Sequence, residues 1–87
     1  MDYVYLQQLK AELVAKGVKE DSAEVFARMY PFFLQYQYGI SVPQMAQFLG
    51  KTEKQTRRYM RQLEQGKVLV RLHYRAWTMS PAVKELV

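Results

Sequence analysis

Two helix-capping signatures stand close together in the middle of this 87-residue chain, and they leave the backbone little choice. Ser41-Val42-Pro43-Gln44 sets a hydroxyl cap three residues before a glutamine. It also puts a proline in the first turn, where the missing N–H has no helical partner to lose. Thr52-Glu53-Lys54-Gln55 repeats the capping arrangement. Met45, Phe48 and Leu49 give the first of these helices an apolar face, and Gly50 closes it. The second runs to about Gln65, with Gly66 as its stop. Helices capped this close together cannot be collinear, so the chain must turn sharply between them.

Upstream, Val4, Leu6, Leu9, Leu13 and Val14 recur near helical spacing and predict a helix from about Asp2 to Lys16, ended by a left-handed Gly17. Asp21 and Glu24 have capping-box spacing, so a second helix is expected to open at Asp21. Its stripe of Val25, Phe26, Met29, Phe32, Phe33 and Tyr36 faces a core, and Gly39 ends it. Pro31 is expected to kink this helix or split it in two. The aromatics Tyr30, Phe32, Phe33, Tyr36 and Tyr38 fall at core spacing, so they read as core and not as a base-stacking platform. After Gly66 the period changes. Lys67 to Leu72 and Ala76 to Met79 are extended runs, joined through His73-Tyr74-Arg75 as a hairpin. Ser80-Pro81 caps a last helical segment. The expected fold is mainly α with a small β-hairpin, in one domain over 1–87: N-terminal helices over 1–39, the paired helices over 41–65, the hairpin over 67–79 and a final helix over 81–87.

Composition narrows the chemistry. The chain has no cysteine, which excludes disulfide scaffolds, zinc fingers and thiol nucleophiles, and its single histidine, His73, cannot build a multi-histidine metal site. Ser22, Ser41 and Ser80 read as helix caps, and no Gly-rich phosphate loop is present, so neither an enzyme nor a cofactor is expected. Apolar runs are too short to span a membrane and no secretory signal is visible, so the expected setting is cytoplasmic. The net charge is +5 and unevenly placed. Residues 1–40 carry four cations against five anions. Residues 51–75 carry Lys51, Lys54, Arg57, Arg58, Arg61, Lys67, Arg71 and Arg75 against only Glu53 and Glu64. Such a localised excess is the footprint of a polyanion-binding face.

On the second capped helix, Thr56, Tyr59, Met60 and Leu63 form one inward stripe, and Lys54, Arg57, Arg58 and Arg61 fall on nearly the opposite side, flanked by Gln55 and Gln62. Salt bridges from Glu53 to Arg57 and from Glu64 to Arg61 would neutralise two of the four cations. Arg58 and Lys54 have no acid three or four positions away on this helix. The four like-charge neighbour pairs of this stripe cost about 1 kcal/mol in all, which bound phosphates would offset.

The order helix, helix, paired helices, hairpin, helix resembles a winged helix-turn-helix domain, and residues 40–81 carry more of the likeness. Ala46, Gly50 and Thr56 stand where that family favours a small residue, a turn glycine and a medium core residue. Leu63-Glu64-Gln65-Gly66-Lys67-Val68 followed by Arg71 is similar to the family's passage from recognition helix into wing, and Ser80-Pro81 to the start of its last helix. One departure is Lys51, where the family usually buries an aliphatic side chain. The resemblance implies a double-stranded DNA-binding protein, a small transcriptional regulator, associated with the nucleoid when bound. Thr52, Lys54, Gln55, Arg57, Arg58 and Arg61 would then face DNA from the recognition helix, with Arg58 reading a guanine and Gln55 an adenine. Lys51, Lys67, Arg71, Tyr74 and Arg75 would serve as wing and phosphate contacts. The alternatives are a plasmid or phage replication or partition factor, and a winged module that binds a protein partner. A homodimer through the N-terminal helix is also expected, because Tyr3, Val4, Tyr5, Leu6, Leu9, Leu13 and Val14 exceed what one stripe needs. The C-terminal Val83, Leu86 and Val87 would add to that surface.

Overall fold

A computed structural model describes residues 3–36, 38–73 and 76–84. The elements follow in the order α1 (Tyr3–Ala15), α2 (Glu20–Gln35), α3 (Val42–Leu49), α4 (Glu53–Gln65), β1 (Leu69–His73), β2 (Ala76–Met79) and α5 (Pro81–Lys84). The architecture is mainly helical with one two-stranded antiparallel sheet. Helix α2 lies at its centre, packed against α1, α3 and α4.

The first helix presses Leu9 and Leu13 into the core, and Tyr5 and Leu6 pack on its margin. The hydroxyls of Tyr5 and Tyr30 are 2.8 Å apart, which ties α1 to α2. Lys10 adds ion pairs to Glu24 at 2.9 Å and Glu20 at 3.7 Å. The hydrogen bond to Glu24 holds the Lys10 ammonium above its usual pKa.

Two expectations about α2 are corrected and one is narrowed. It opens at Glu20, one residue early, with Lys19 at the cap position and no side-chain cap, because the Asp21 carboxylate accepts from the adjacent Ser22 N–H at 2.8 Å. Ser22 is no cap either; it is fully buried, and its hydroxyl donates to the Gln62 side-chain carbonyl of α4. Of the two outcomes expected at Pro31, the split does not occur: the helix continues through it to Gln35. A proline in a helix interior costs about 3 kcal/mol. Phe26, Met29, Tyr30 and Phe33 are buried on either side of it. At roughly 1.5–3 kcal/mol each, their burial outweighs that cost.

Both capping boxes form as expected. Ser41 accepts from the Gln44 N–H and Thr52 from the Gln55 N–H, and each glutamine reaches back to the cap's own N–H. Gly50 takes a left-handed φ of 66°. Gly66 does not: its φ is −78°, and the left-handed residue at the end of α4 is Lys67, at φ 60°. The hairpin pairs Leu69 with Met79, Val70 with Thr78, Arg71 with Trp77 and His73 with Ala76, with an irregularity between Arg71 and His73. His73 is therefore a strand residue and not part of the loop. Ile40 bridges to Trp77 through two backbone hydrogen bonds, of 2.8 and 3.0 Å, so the segment before α3 lies along β2. Gly39 is required there: a Cβ would come within 3.0 Å of both Ala76 and Leu72. Ser80 stands directly before α5, and its hydroxyl donates to the Lys67 carbonyl at 2.7 Å, which closes the base of the hairpin.

Burial, and after it the hydrogen bond to Tyr30, pushes the Tyr5 hydroxyl from 10.0 up to about 12. The folded protein thus keeps a proton that the unfolded chain releases above its ordinary pKa. This stabilisation is complete below about pH 10 and is lost as pH rises through about 12. The melting temperature of the Tyr5→Phe variant should therefore fall less steeply than that of the wild type across this window; equal slopes would contradict the assignment. The two turn glycines also separate. Gly50→Ala should destabilise by about 1–2 kcal/mol in denaturant unfolding, because its φ is left-handed although its surroundings are open. Gly66→Ala should be neutral or stabilise by up to about 1 kcal/mol, and the reverse order would contradict the backbone described.

Candidate nucleic-acid interface

Helix α4 has two faces of opposite character. Thr56, Met60 and Leu63 are fully buried, and Tyr59 is half-buried. The Thr56 hydroxyl donates to the Thr52 carbonyl at 2.9 Å, so the one polar group beneath the turn is satisfied. Ala46 and Met45 of α3 are buried across from it. Lys54, Gln55, Arg57, Arg58 and Arg61 are all exposed, and together they line a shallow groove of about 420 Å³.

The ion pairs differ from the sequence expectation in a way that matters for charge. Glu53 meets Arg57 at 4.0 Å, at the limit for a salt bridge. Glu64 does not pair with Arg61; it bonds Arg71 of β1 at 3.3 Å. Among the described residues, Lys54, Arg58 and Arg61 therefore have no carboxylate partner. Three cations share one helix face with only a weakly held Arg57–Glu53 pair beside them.

Other expected contacts sit in more constrained places. Arg71 is held twice, by Glu64 and by the Trp77 ring, whose centroid lies 4.6 Å from its guanidinium carbon. That arrangement joins the end of α4 to both strands. Lys51 and Arg58 approach the Tyr59 ring at 5.7 and 5.3 Å. Lys51 thus spends its position on a cation–π contact where an aliphatic side chain was expected. Gln55 is committed to the cap through its carbonyl oxygen, 3.2 Å from the Thr52 N–H. A two-pronged contact to adenine needs both that oxygen and the amide nitrogen and would break the cap. Thr52 is exposed just before the start of α4 and Lys67 just beyond its end. Tyr74 and Arg75 lie outside the described residues.

Sequence reasoning missed the link from Ser22 to Gln62, which fixes α4 on α2. No local signal could have found it, because the partners lie 40 positions apart. Among the described residues no group of acids and histidine could hold a metal ion, and no helix is long and apolar enough to cross a membrane. No family model matches the chain, and neither a curated protein nor a solved structure matches it.

Proposed function

We propose that this chain is a winged helix-turn-helix protein that binds double-stranded DNA in a sequence-dependent way, as a small transcriptional regulator does. On this reading α3 and α4 are the helix pair, α4 enters the major groove, and the β1–β2 hairpin is the wing. The observation that carries the reading is the exposed face of Lys54, Arg57, Arg58 and Arg61, opposite the buried Thr56, Met60 and Leu63. Three of its cations have no acid partner among the described residues, an arrangement that repels itself until anions arrive.

The roles follow from position. Arg58, at mid-helix, offers its guanidinium to a guanine edge. Lys54 and Arg57, nearer the start of α4, meet bases or the adjacent backbone, and Arg61 meets phosphate. Arg71 acts differently from a free phosphate contact: held by Glu64 and Trp77, it sets the angle of the hairpin against α4. The order of elements and the turn chemistry at Gly50 support the winged-helix assignment, and the closed base of the hairpin at Ser80 is consistent with it.

Titration into random duplex DNA should give an association constant that falls steeply with salt. The slope should be about −0.9 for each of roughly four to six phosphates neutralised. A flat response between low and moderate salt would contradict DNA binding. On a preferred site selected from a random pool, Arg58→Ala should cost about 1–3 kcal/mol and relax preference at one base position. Equal loss on selected and random DNA would make Arg58 a phosphate contact instead.

A further inference from the structure

We propose that the outer face of α1 is the surface through which two copies of this chain pair antiparallel. This inference does not rest on DNA binding; it follows from how α1 divides its side chains. Leu9 and Leu13 face inward, with Tyr5 and Leu6 packed beside them, so the core is supplied by one face of the helix. Val83, expected to add to a partner surface, is instead buried within the domain. Leu86 and Val87 lie outside the described residues.

A second stripe remains. Val4, Gln7, Ala11 and Val14 are exposed, carry no charge and follow the three-and-four spacing of a helix-pairing seam. Tyr3, the most exposed of the helix's large apolar side chains at 73%, stands at one end of it.

Self-pairing is favoured over a foreign partner by the symmetry of this stripe. A two-fold interface sets a surface against its own reversed copy. The spacing of the stripe reads the same in both directions about the level of Leu9. Reversal places Val4 of one copy against Val14 of the other, and Gln7 against Ala11. It also brings Tyr3 against Ala15, the larger side chain meeting the smaller in both unequal pairs. Ala15 lines an open depression of about 480 Å³ with Gln7, Ala11 and Val14, bordered by Lys10 and Glu20, over which Tyr3 of the second copy would lie.

Charge points the same way. Lys10, at the edge of the depression, is already neutralised by Glu20 and Glu24. Residues 1–40 are close to neutral, whereas pairing through α4 would set two strongly basic faces together. The seam spans only about 20 Å of helix, too little to bury the roughly 1,200–2,000 Å² of a stable complex by itself. The pairing should therefore be reversible, with a dissociation constant between about 1 μM and 1 mM.

The absence of cysteine makes a direct test simple. Val4→Cys and Val14→Cys chains, each with one thiol at an exposed site, are treated with a short bismaleimide, each chain alone and both together in an equimolar mixture. A Gln47→Cys chain, altered on the exposed side of α3, reports random collision. The proposal expects the mixed chains to cross-link well above this control and above either chain alone. Homotypic Val4→Cys cross-linking as the dominant product would mean a parallel pair and would overturn it. Cross-linking at the collision level in every mixture would also overturn it. In parallel, Val14→Glu should leave the thermal midpoint unchanged and lower the weight-average mass at several hundred micromolar toward that of a monomer. An unchanged mass for this variant would refute the surface.

Discussion

The burial of one face of α4 is the constraint on which the rest of the structure depends. Met60 and Leu63 are fully buried beside Thr56, whose hydroxyl is satisfied one turn back. Burying the two apolar side chains contributes roughly 3–6 kcal/mol. The like-charge pairs on the opposite face cost about 1 kcal/mol. Burial wins, so the helix holds its cations outward with only the weak Glu53–Arg57 pair to offset their repulsion. The Gly50 turn and the Thr52 cap fix where that helix starts, and the bond from Ser22 to Gln62 fixes how it sits on α2.

The sheet is attached to this unit at more than one point. Ile40 and Trp77 join the start of α3 to β2, and the pair of Glu64 with Arg71 joins the end of α4 to β1. Ser80 closes the hairpin onto Lys67. Two strands alone are marginal in water. Here Leu69, Trp77 and Met79 lend them a buried face shared with the helical core. The basic helix and the hairpin are therefore joined by direct contacts, and on the proposed reading they would meet DNA together.

What could be read from the sequence was what is local. Capping boxes act over three residues, so both were legible at Ser41 and Thr52, and the alternation of buried and basic positions on α4 followed from helical spacing. The failures share the opposite property. Ser22 looked like a cap because its partner lies on another helix, and Glu64 seemed destined for Arg61 because β1 was not yet in place. Pro31 reads as a breaker by local rules, yet the buried aromatics around it hold the helix together. Gly66 was legible as the stop of α4, but the left-handed conformation that follows falls on Lys67, which no local rule marks. On α1, composition revealed an apolar surplus; only packing shows that Tyr5 and Leu6 belong to the core margin and Tyr3, Val4 and Val14 to the surface.

The central claim is that the outward face of α4 is the face that meets nucleic acid. Amide chemical-shift mapping during titration with duplex DNA tests it most directly, and a 10.3 kDa chain suits that method. The account predicts that the largest shifts fall between Thr52 and Arg61, with smaller ones at Arg71 in the hairpin and none along the α1 seam at concentrations where the protein alone is monomeric. Shifts concentrated on α1 or on the Leu34–Tyr36 end of α2, with α4 unmoved, would contradict it.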